Sequence, residues 1–286
     1  MLVIRRVADL RSLVASRRRD GDVIGLVPTM GALHDGHLSL IRRASAECGL
    51  VVVSVFVNPT QFNDAGDLAA YPRDEGHDVE LAASAGAEVV FAPSPEEVYP
   101  DGFCTSVRME GPITETLEGA VRGPAHFWGV ATVVAKLFSM AQPDVAFFGQ
   151  KDAQQCVVVR RLVHDLDLPV RIEVCPTVRE ADGLAMSSRN VRLDADDRER
   201  ALALLAGLTA VEDAVARGER SVPALERVGR AAFGSFGVEP EYFAGVHPMT
   251  LRPLERLDGP ALFVTAAPVG RVRLIDNVTI SSPEAV

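Results

Sequence analysis

Short apolar runs alternate with segments of helical period over roughly the first 180 residues, and this alternation restricts the fold more than any other feature. The runs are residues 23–27, 51–57, 87–91, 144–148 and 170–174. Runs that are apolar on both faces are typical of strands buried within a parallel sheet. The segments predicted as helices are residues 37–48, 74–85, 127–140 and 153–166. This order predicts an α/β fold built on a Rossmann-like parallel sheet.

The last third of the chain has a different pattern. A long helix is predicted over residues 194–216, with Asp194 as its N-cap, and a second helix over residues 223–233. Short strands are predicted over residues 242–246, 261–267 and 271–275, the last followed by Asp276 and Asn277. We therefore expect a Rossmann-like domain over residues 1–184 and a smaller α+β C-terminal domain over residues 185–286.

Charge and cysteine content restrict the partners and the compartment. The chain has 29 Lys+Arg against 39 Asp+Glu, a formal charge of −10, which argues against nucleic acid or an anionic membrane as the main partner. Its four cysteines are scattered and form no CxxC pair, which indicates reduced, mostly buried thiols in a cytoplasmic protein. No apolar stretch has the length of a membrane span.

Unusual polar residues follow four of the predicted strands. They lie in the segments PTMGALHDGH (28–37), NPTQF (58–62), GQKDAQQ (149–155) and PTVREADGLAMSSRN (176–190). In open α/β sheets, ligands bind outside the carboxyl ends of the strands. Four strand exits of this kind predict one binding crevice.

His34 and His37 are predicted at the start of a helix, with Gly36 between them. A helix N-terminus carries free N–H groups and positive partial charge, so a triphosphate is favoured there. The two imidazoles could add hydrogen bonds to phosphate oxygens. The alternatives are a helix cap with a surface histidine, or part of a metal site, although zinc would need further ligands that the nearby sequence does not offer.

Lys151 and the Ser187–Ser188–Arg189 run are further candidates for phosphate binding. Lys151 follows a strand and precedes a helix, where its ammonium could hold a phosphate while Asp152 caps the helix. The serine hydroxyls and the Arg189 guanidinium lie in a glycine-flanked loop suited to closing over polyphosphate, or to acting as a hinge. The chain has no Walker loop and no GxGxxG motif, so phosphate must be held in another way.

Gln61 and Gln155 are uncharged and lie at two strand exits. Their amides could bind the hydroxyl and carboxylate of a small hydroxy acid, and each could equally be a structural amide.

Taken in order, PTMGALHDGH, VFVNPTQF, YPRD, FFGQKDAQQ, PTVREADGLAMSSRN and RLIDN resemble the pantothenate synthetase (pantoate–β-alanine ligase) family, within the wider HxGH nucleotidyl-transfer superfamily. The resemblance is dense over residues 20–195 and thinner beyond. It implies ATP-dependent ligation of (R)-pantoate and β-alanine through pantoyl adenylate, with AMP and pyrophosphate as products. It also implies Mg²⁺ with the ATP, and a homodimer.

The family's site residues can be transferred by position. The resemblance implies that His37, the proton donor, acts with His34, Lys151, Ser187, Ser188 and Arg189 in catalysis, and that Gln61 and Gln155 bind pantoate, Gln61 also at the β-alanine position. It implies an ATP site formed by Met30, Gly31, Ala32, Leu33, His34, Asp35, Gly36, His37, Gly149, Gln150, Lys151, Asp152, Val178, Met186, Ser187, Ser188 and Arg189. It assigns no metal ligands.

Two departures from the family pattern bear on activity. The family usually has glutamate where this chain has Gln150, and Arg-Pro-Gly-His-Phe where this chain has the longer segment 122–127. These departures keep two other hypotheses open, a nucleotidyltransferase of the HxGH superfamily and a non-catalytic nucleotide-binding paralogue.

Overall fold

The computed structural model describes residues 1–62, 65–69 and 71–281. The chain divides into two compact units. The N-terminal unit comprises Met1–Gly149 and Val158–Pro176, and the C-terminal unit comprises Gln150–Val157 and the chain from Thr177 onward. This division differs from the predicted boundary at residue 184 in two places, since it lies at residue 176 and assigns residues 150–157 to the C-terminal unit.

The N-terminal unit contains a six-stranded parallel sheet. Its strands are β1 (Leu2–Ile4), β2 (Ile24–Thr29), β3 (Leu50–Val55), β4 (Val89–Phe91), β5 (Val145–Gly149) and β6 (Arg171–Cys175). They lie in the order β1-β4-β3-β2-β5-β6, and every neighbouring pair is parallel. The chain turns from one half of the sheet to the other between β2 and β5. This is the topological switch point, where ligands of open α/β sheets bind.

Nine helices are described from Val7 to Asp165. They are α1 (Val7–Arg19), α2 (Asp35–Ser45), α3 (Ala65–Ala69), α4 (Glu75–Ser84), α5 (Pro95–Val98), α6 (Pro112–Glu115), α7 (Glu118–Arg122), α8 (Pro124–Ala141) and α9 (Ala153–Asp165). Short 3₁₀ helices cover Pro59–Gln61 and Gln150–Asp152. Helix α8 has 11 buried residues among its 18, and Lys136 is its one Lys, Arg, Asp or Glu residue. No described helix is long and apolar enough to cross a membrane.

The C-terminal unit has its own core. Its antiparallel sheet has the order β7-β8-β9, formed by β7 (Tyr242–Val246), β8 (Ala261–Val269) and β9 (Val272–Ile280). Helices α10 (Ala195–Ala201), α11 (Ala203–Ala216) and α12 (Val222–Phe233) supply much of the rest of this core, and 3₁₀ helices cover Asn190–Arg192 and Gly234–Phe236. A Cβ on Gly229 would lie 2.2 Å from Cζ of Phe243, so the absence of a side chain lets this ring pack against α12.

The predicted fold class is confirmed, and the five predicted strands of the parallel sheet and its four predicted helices are all present within a few residues of their expected bounds. Three details differ. The sheet has a sixth strand, β1, at its edge. The helix predicted over residues 194–216 is interrupted at Leu202, although residues 195–206 contain no Gly or Pro. Asp276 and Asn277 do not follow the last strand but lie inside β9, opposite Thr265 and Val264.

All four cysteines are free thiols. Cys156 and Cys175 are buried and Cys48 is half-buried, whereas Cys104 is exposed and departs from the expected burial. Burial raises the pKa of Cys48 and of Cys175, which favours the thiol over the reactive thiolate.

Candidate active site

The first candidate segment begins where β2 ends, at the switch point of the sheet. The hydroxyl of Thr29 donates to the carbonyl of Ser54 on β3 at 2.6 Å and accepts the N–H of Gly31 at 3.1 Å. Gly31 and Ala32 both have positive φ, +81° and +51°. This backbone conformation is disfavoured for alanine, which carries a Cβ, so the turn depends on contacts that hold it.

His34 and His37 form the start of α2, as predicted. His34 is the N-cap, and its Nδ1 accepts the N–H of Gly36 at 3.1 Å. His37 Nδ1 accepts the N–H of His34 at 3.4 Å, and the two ring centroids are 4.1 Å apart. Since Nδ1 is the acceptor in both rings, each neutral imidazole carries its proton on Nε2. The pair therefore caps the helix with one nitrogen and keeps a donor on the other.

Gln61 lies in the 3₁₀ helix that follows β3, and its side chain is held by Asn58. Asn58 is 1% exposed, and its Nδ2 donates to Gln61 Oε1 at 3.0 Å and to the carbonyl of Gly129 at 3.2 Å. Gln61 Nε2 points to the sulfur of Met30 at 3.0 Å. Two residues assigned to different ligands are thus in direct contact within the N-terminal unit.

Tyr99 completes this cluster, although it lies outside every sequence motif. Its hydroxyl donates to Asn58 Oδ1 at 2.8 Å. Burial raises the pKa of Tyr99, which keeps the phenol protonated as a donor. No sequence signal points to Tyr99, whereas the Asn58–Pro59 dipeptide is a turn signal that could have marked Asn58 as a cap.

The lengthened segment 122–127 is accommodated at a helix junction. Arg122 ends α7, where it pairs with Glu118 at 3.0 Å, and Gly123, with φ +78°, links α7 to α8. His126 lies in the first turn of α8, with Nδ1 2.8 Å from the carbonyl oxygen of Gln61. The segment is therefore ordered against the 3₁₀ helix that carries Gln61.

In the C-terminal unit, Gln150 and Lys151 lie in the 3₁₀ helix directly after β5 and are held by Asn277 of β9. Asn277 Nδ2 donates to the carbonyl oxygens of Gln150 and Lys151, at 3.0 and 2.9 Å. Gln150 Nε2 donates to Asn277 Oδ1 at 3.0 Å, and Lys151 Nζ lies 3.8 Å from the carboxylate of Asp152. Asn277 is 4% exposed and was not assigned a role from the sequence.

Val178 and Met186 also meet within the C-terminal unit. The N–H of Met186 donates to the carbonyl of Val178 at 2.9 Å, which closes the segment between them into a hairpin-like loop. Arg179 anchors this loop through a two-bond pair with Asp276, at 2.7 and 3.1 Å. After the loop, the N–H of Arg189 donates to Ser187 Oγ at 3.3 Å, and Ser188 lies in the same turn.

Gly149 ends β5 opposite Cys175, and Gln155 lies in the first turn of α9, half-buried. Leu33 is buried and Asp35 is exposed at the start of α2. Among the described residues, no group of three His, Cys, Asp or Glu side chains could hold a metal ion.

The structure thus defines the class of protein: an α/β protein with a Rossmann-like parallel sheet, a histidine pair at the switch point and a small α+β unit. A family model described as pantoate-beta-alanine ligase matches residues 2–279. The chain belongs to the pantoate–β-alanine ligase family, as the sequence motifs predicted, and the predicted enzyme class, a ligase, is confirmed.

Pantothenate synthetases of several bacteria are similar to this chain over nearly their whole length. The chain is 54% identical to pantothenate synthetase of Cereibacter sphaeroides, over 97% of this chain and 99% of that protein. The crystal structure of pantothenate synthetase from Thermus thermophilus has a TM-score of 0.91 at 46% identity, covering 97% of this chain and 99% of that one. Pantoate-β-alanine ligase of Francisella tularensis, solved with β-γ ATP and β-alanine, has a TM-score of 0.78 at 36% identity, covering 97% of both chains.

Proposed function

We propose that this chain joins (R)-pantoate to β-alanine at the expense of ATP, giving pantothenate, AMP and pyrophosphate. The observation that carries the proposal is the family match over residues 2–279, which includes every motif at the strand exits. The Francisella relative, bound to β-γ ATP and β-alanine, supports ATP and β-alanine as substrates.

The reaction proceeds in two balanced steps. A carboxylate oxygen of pantoate attacks the α-phosphorus of Mg-ATP, and the bond to the β-phosphate oxygen breaks to release pyrophosphate. The amine of β-alanine then attacks the acyl carbon of pantoyl adenylate, the bond to the phosphate oxygen breaks, and AMP leaves while the amine loses a proton to solvent. These steps require positioning and charge neutralisation, and neither uses a covalent intermediate with the enzyme.

We assign the phosphates of ATP to His34, His37 and Lys151. In the neutral tautomer that the helix cap imposes, Nε2–H of each histidine can donate to a phosphate oxygen as negative charge moves onto pyrophosphate. The resemblance assigns His37 as the proton donor; in the neutral ring its Nε2–H donates a hydrogen bond to the leaving pyrophosphate, and neither step requires the ring to lose that proton. The Lys151 ammonium adds a full positive charge, and the bonds from Asn277 to the carbonyls of Gln150 and Lys151 hold the backbone that carries it.

The other nucleotide contacts are assigned by motif. ATP also lies against Met30, Gly31, Ala32, Leu33, Asp35, Gly36, Gly149, Gln150, Asp152, Val178, Met186, Ser187, Ser188 and Arg189. The Ser187–Arg189 turn supplies two hydroxyls and a guanidinium, which suit the oxygens of a polyphosphate. Mg²⁺ enters with ATP as its complex.

Gln61 and Gln155 are assigned to pantoate. Gln61 Oε1 is already bonded by Asn58, whereas its Nε2 donates to a thioether sulfur, a weak acceptor. An oxygen of pantoate would be a stronger acceptor for the same N–H, so exchange of partners favours substrate binding. We assign the β-alanine position to Gln61 as well.

The protein is proposed to act in the cytoplasm as a homodimer.

One experiment separates this ligase from its two alternatives. If pantoyl adenylate forms first, labelled pyrophosphate exchanges into ATP when pantoate is present and β-alanine is absent. Lys151→Ala should suppress this exchange, whereas Gln155→Ala should raise the pantoate KM with a smaller effect on ATP. A nucleotidyltransferase would exchange only with a phosphorylated acceptor, and a non-catalytic paralogue would show no exchange. Well-folded, ATP-binding protein without pantoate-dependent exchange would contradict the proposal.

A further inference from the structure

Asp78 is a buried carboxylate to which neither the sequence motifs nor the proposed reaction gives a role. It lies in the first turn of α4 and is 2% exposed. The N–H of Ala32 donates to its Oδ2 at 3.0 Å, and the N–H of Leu33 donates to its Oδ1 at 2.7 Å. One side chain thus binds two consecutive backbone groups of the turn that leads into His34.

The surroundings of Asp78 explain how its charge is tolerated. Burying a carboxylate is costly unless hydrogen bonds or opposite charge compensate it. No ion pair of the described residues includes Asp78, so compensation comes from the two N–H donors and from the N-terminal end of α4. Both side-chain hydrogen bonds of this buried carboxylate go to one turn, which indicates that its role is to hold that turn.

The turn has an unusual backbone that needs such an anchor. Gly31 and Ala32 are consecutive residues with positive φ. A Cβ on Gly31 would lie 2.8 Å from Asp78 Oδ2 and 3.1 Å from Cγ1 of Val55. Any residue with a side chain at position 31 would therefore clash with the carboxylate. Without the carboxylate, Ala32 would relax toward negative φ, and the N-cap at His34 would move with it.

We propose that Asp78 is a positioning residue, which fixes the Gly31–Leu33 turn so that His34 and His37 present their donors to the phosphates of ATP. This inference rests on the proposed function, because it assigns ATP to the start of α2. The N–H groups of Ala32 and Leu33 are engaged by Asp78, so phosphate is bound by the histidines and not by these two amides.

Two variants of Asp78 and one control test the proposal. Asp78→Asn keeps the volume but places an NH₂ group against one of the two N–H donors, and Asp78→Ala removes both acceptors. Asp74→Ala is the matched control, since Asp74 caps the same helix through the N–H of His77 at 3.1 Å and does not contact the turn. The measurements are the dissociation constant of ATP, the KM of ATP and pantoate, the melting temperature, and hydrogen exchange of a peptide covering residues 30–38.

We expect the ATP dissociation constant and KM to rise by about tenfold in Asp78→Asn and by more in Asp78→Ala, as loss of a charge-assisted hydrogen bond predicts. The KM of pantoate should stay within about twofold, and exchange of the 30–38 peptide should accelerate. Asp74→Ala should lower the melting temperature and leave ATP binding and this exchange unchanged.

A merely structural Asp78 would lower the melting temperature and the active fraction without changing ATP affinity in the folded enzyme. That result would overturn the proposal, as would unchanged hydrogen exchange in Asp78→Ala. If wild-type protein binds ATP but forms no pantothenate, the proposed function fails while ATP affinity still decides the role of Asp78. Wild-type protein that binds no ATP would overturn both.

Discussion

At His37, one hydrogen bond decides which ring nitrogen carries the proton. His37 Nδ1 accepts the N–H of His34, so in the neutral ring Nε2 is the donor. A donor aimed at developing charge contributes a factor of about 10²–10³ in rate. We therefore expect His37→Ala to fold and to lose about this factor in pantoate-dependent exchange of pyrophosphate into ATP. His77→Ala, at an exposed position of α4, is the control and should exchange normally. Exchange within a few-fold of wild type would remove His37 from the mechanism.

At Gln150, the amide takes the place of the family's usual carboxylate. Its Nε2 donates to Asn277 Oδ1, while Asn277 Nδ2 holds the carbonyls of Gln150 and Lys151. A carboxylate in Gln150→Glu could bond Asn277 only if the Asn277 amide turned over, and Nδ2 would then leave those carbonyls.

We expect Gln150→Glu to lower the melting temperature and to change turnover by less than about tenfold, because Lys151 keeps its charge. The stability effects of Gln150→Glu and Asn277→Ala should be non-additive, since the two side chains touch. Steady-state assays and thermal unfolding of both single variants and the double variant measure this. A gain in activity well above tenfold would instead indicate that this chain is a weakened enzyme, and would revive the hypothesis of a non-catalytic nucleotide-binding paralogue.

At the scale of elements, α8 and the 3₁₀ helix Pro59–Gln61 approach each other at Gly129. A Cβ there would lie 2.4 Å from the carbonyl oxygen of Thr60 and 2.9 Å from the nitrogen of Gln61, which are backbone atoms that cannot turn away. We expect Gly129→Ala to cost about 1–3 kcal/mol of stability and to raise the KM of pantoate several-fold, because Gln61 is displaced.

The control for this variant is Gly76→Ala in α4. A Cβ on Gly76 would meet only Asp74 Oδ1, at 3.7 Å. This variant should be as stable as wild type or slightly more stable, because alanine favours the helix. Chemical denaturation and pantoate titration compare the two, and equal behaviour of both variants would show that the close approach at Gly129 is unimportant.

Ion pairs connect the loop between Val178 and Met186 to α10. Arg198 bonds Asp182 at 2.7 Å and Glu180 at 2.6 Å, and the bond from Arg198 holds the pKa of Asp182 below its ordinary value. A carboxyl group with a lowered folded pKa contributes stability above its unfolded pKa, and the contribution is lost as the pH falls through the folded pKa.

Asp182→Asn should therefore be less stable than wild type at pH 7, by about 1 kcal/mol or less since the pair is partly exposed. The difference should shrink as the pH falls below the ordinary pKa of an aspartate and through the lowered pKa of Asp182 in the folded protein. Urea midpoints of wild type and Asp182→Asn across this range measure the effect, and a difference that stays constant with pH would exclude the ion pair as its cause.

At the scale of the whole molecule, the family resemblance predicts a homodimer of the 30.6 kDa chain. Light scattering at micromolar concentration should give about twice this mass, with or without ATP. At the formal charge of −10, added duplex DNA should leave the mass unchanged. A single-chain mass under these conditions would contradict the homodimer.

Much of the fold follows from local sequence pattern. The VIGLV and VVVSVFV runs predict β2 and β3 correctly because a strand buried on both faces must be apolar throughout. The sequence placed His34 and His37 at the start of a helix and left a capping role as one alternative, which the structure shows for His34. The hydrophobic pattern does not predict strand β1, because this strand has only three residues and is largely exposed. Its residues form a strand because they pair with β4.

The sequence by itself determined the fold class, the family and the motifs at the strand exits, since each depends on residues close together along the chain. Only the tertiary structure decided what holds those motifs. Asp78 meets Leu33 across 45 positions, and Asn277 meets Gln150 across 127. Asp78 lies outside every motif, and RLIDN includes Asn277 without indicating its partner, because a buried aspartate in a helix and a buried asparagine in a strand look unfavourable until their hydrogen-bond partners are known. Such pairings are set by how the elements pack, and that information is absent from any short window of the chain.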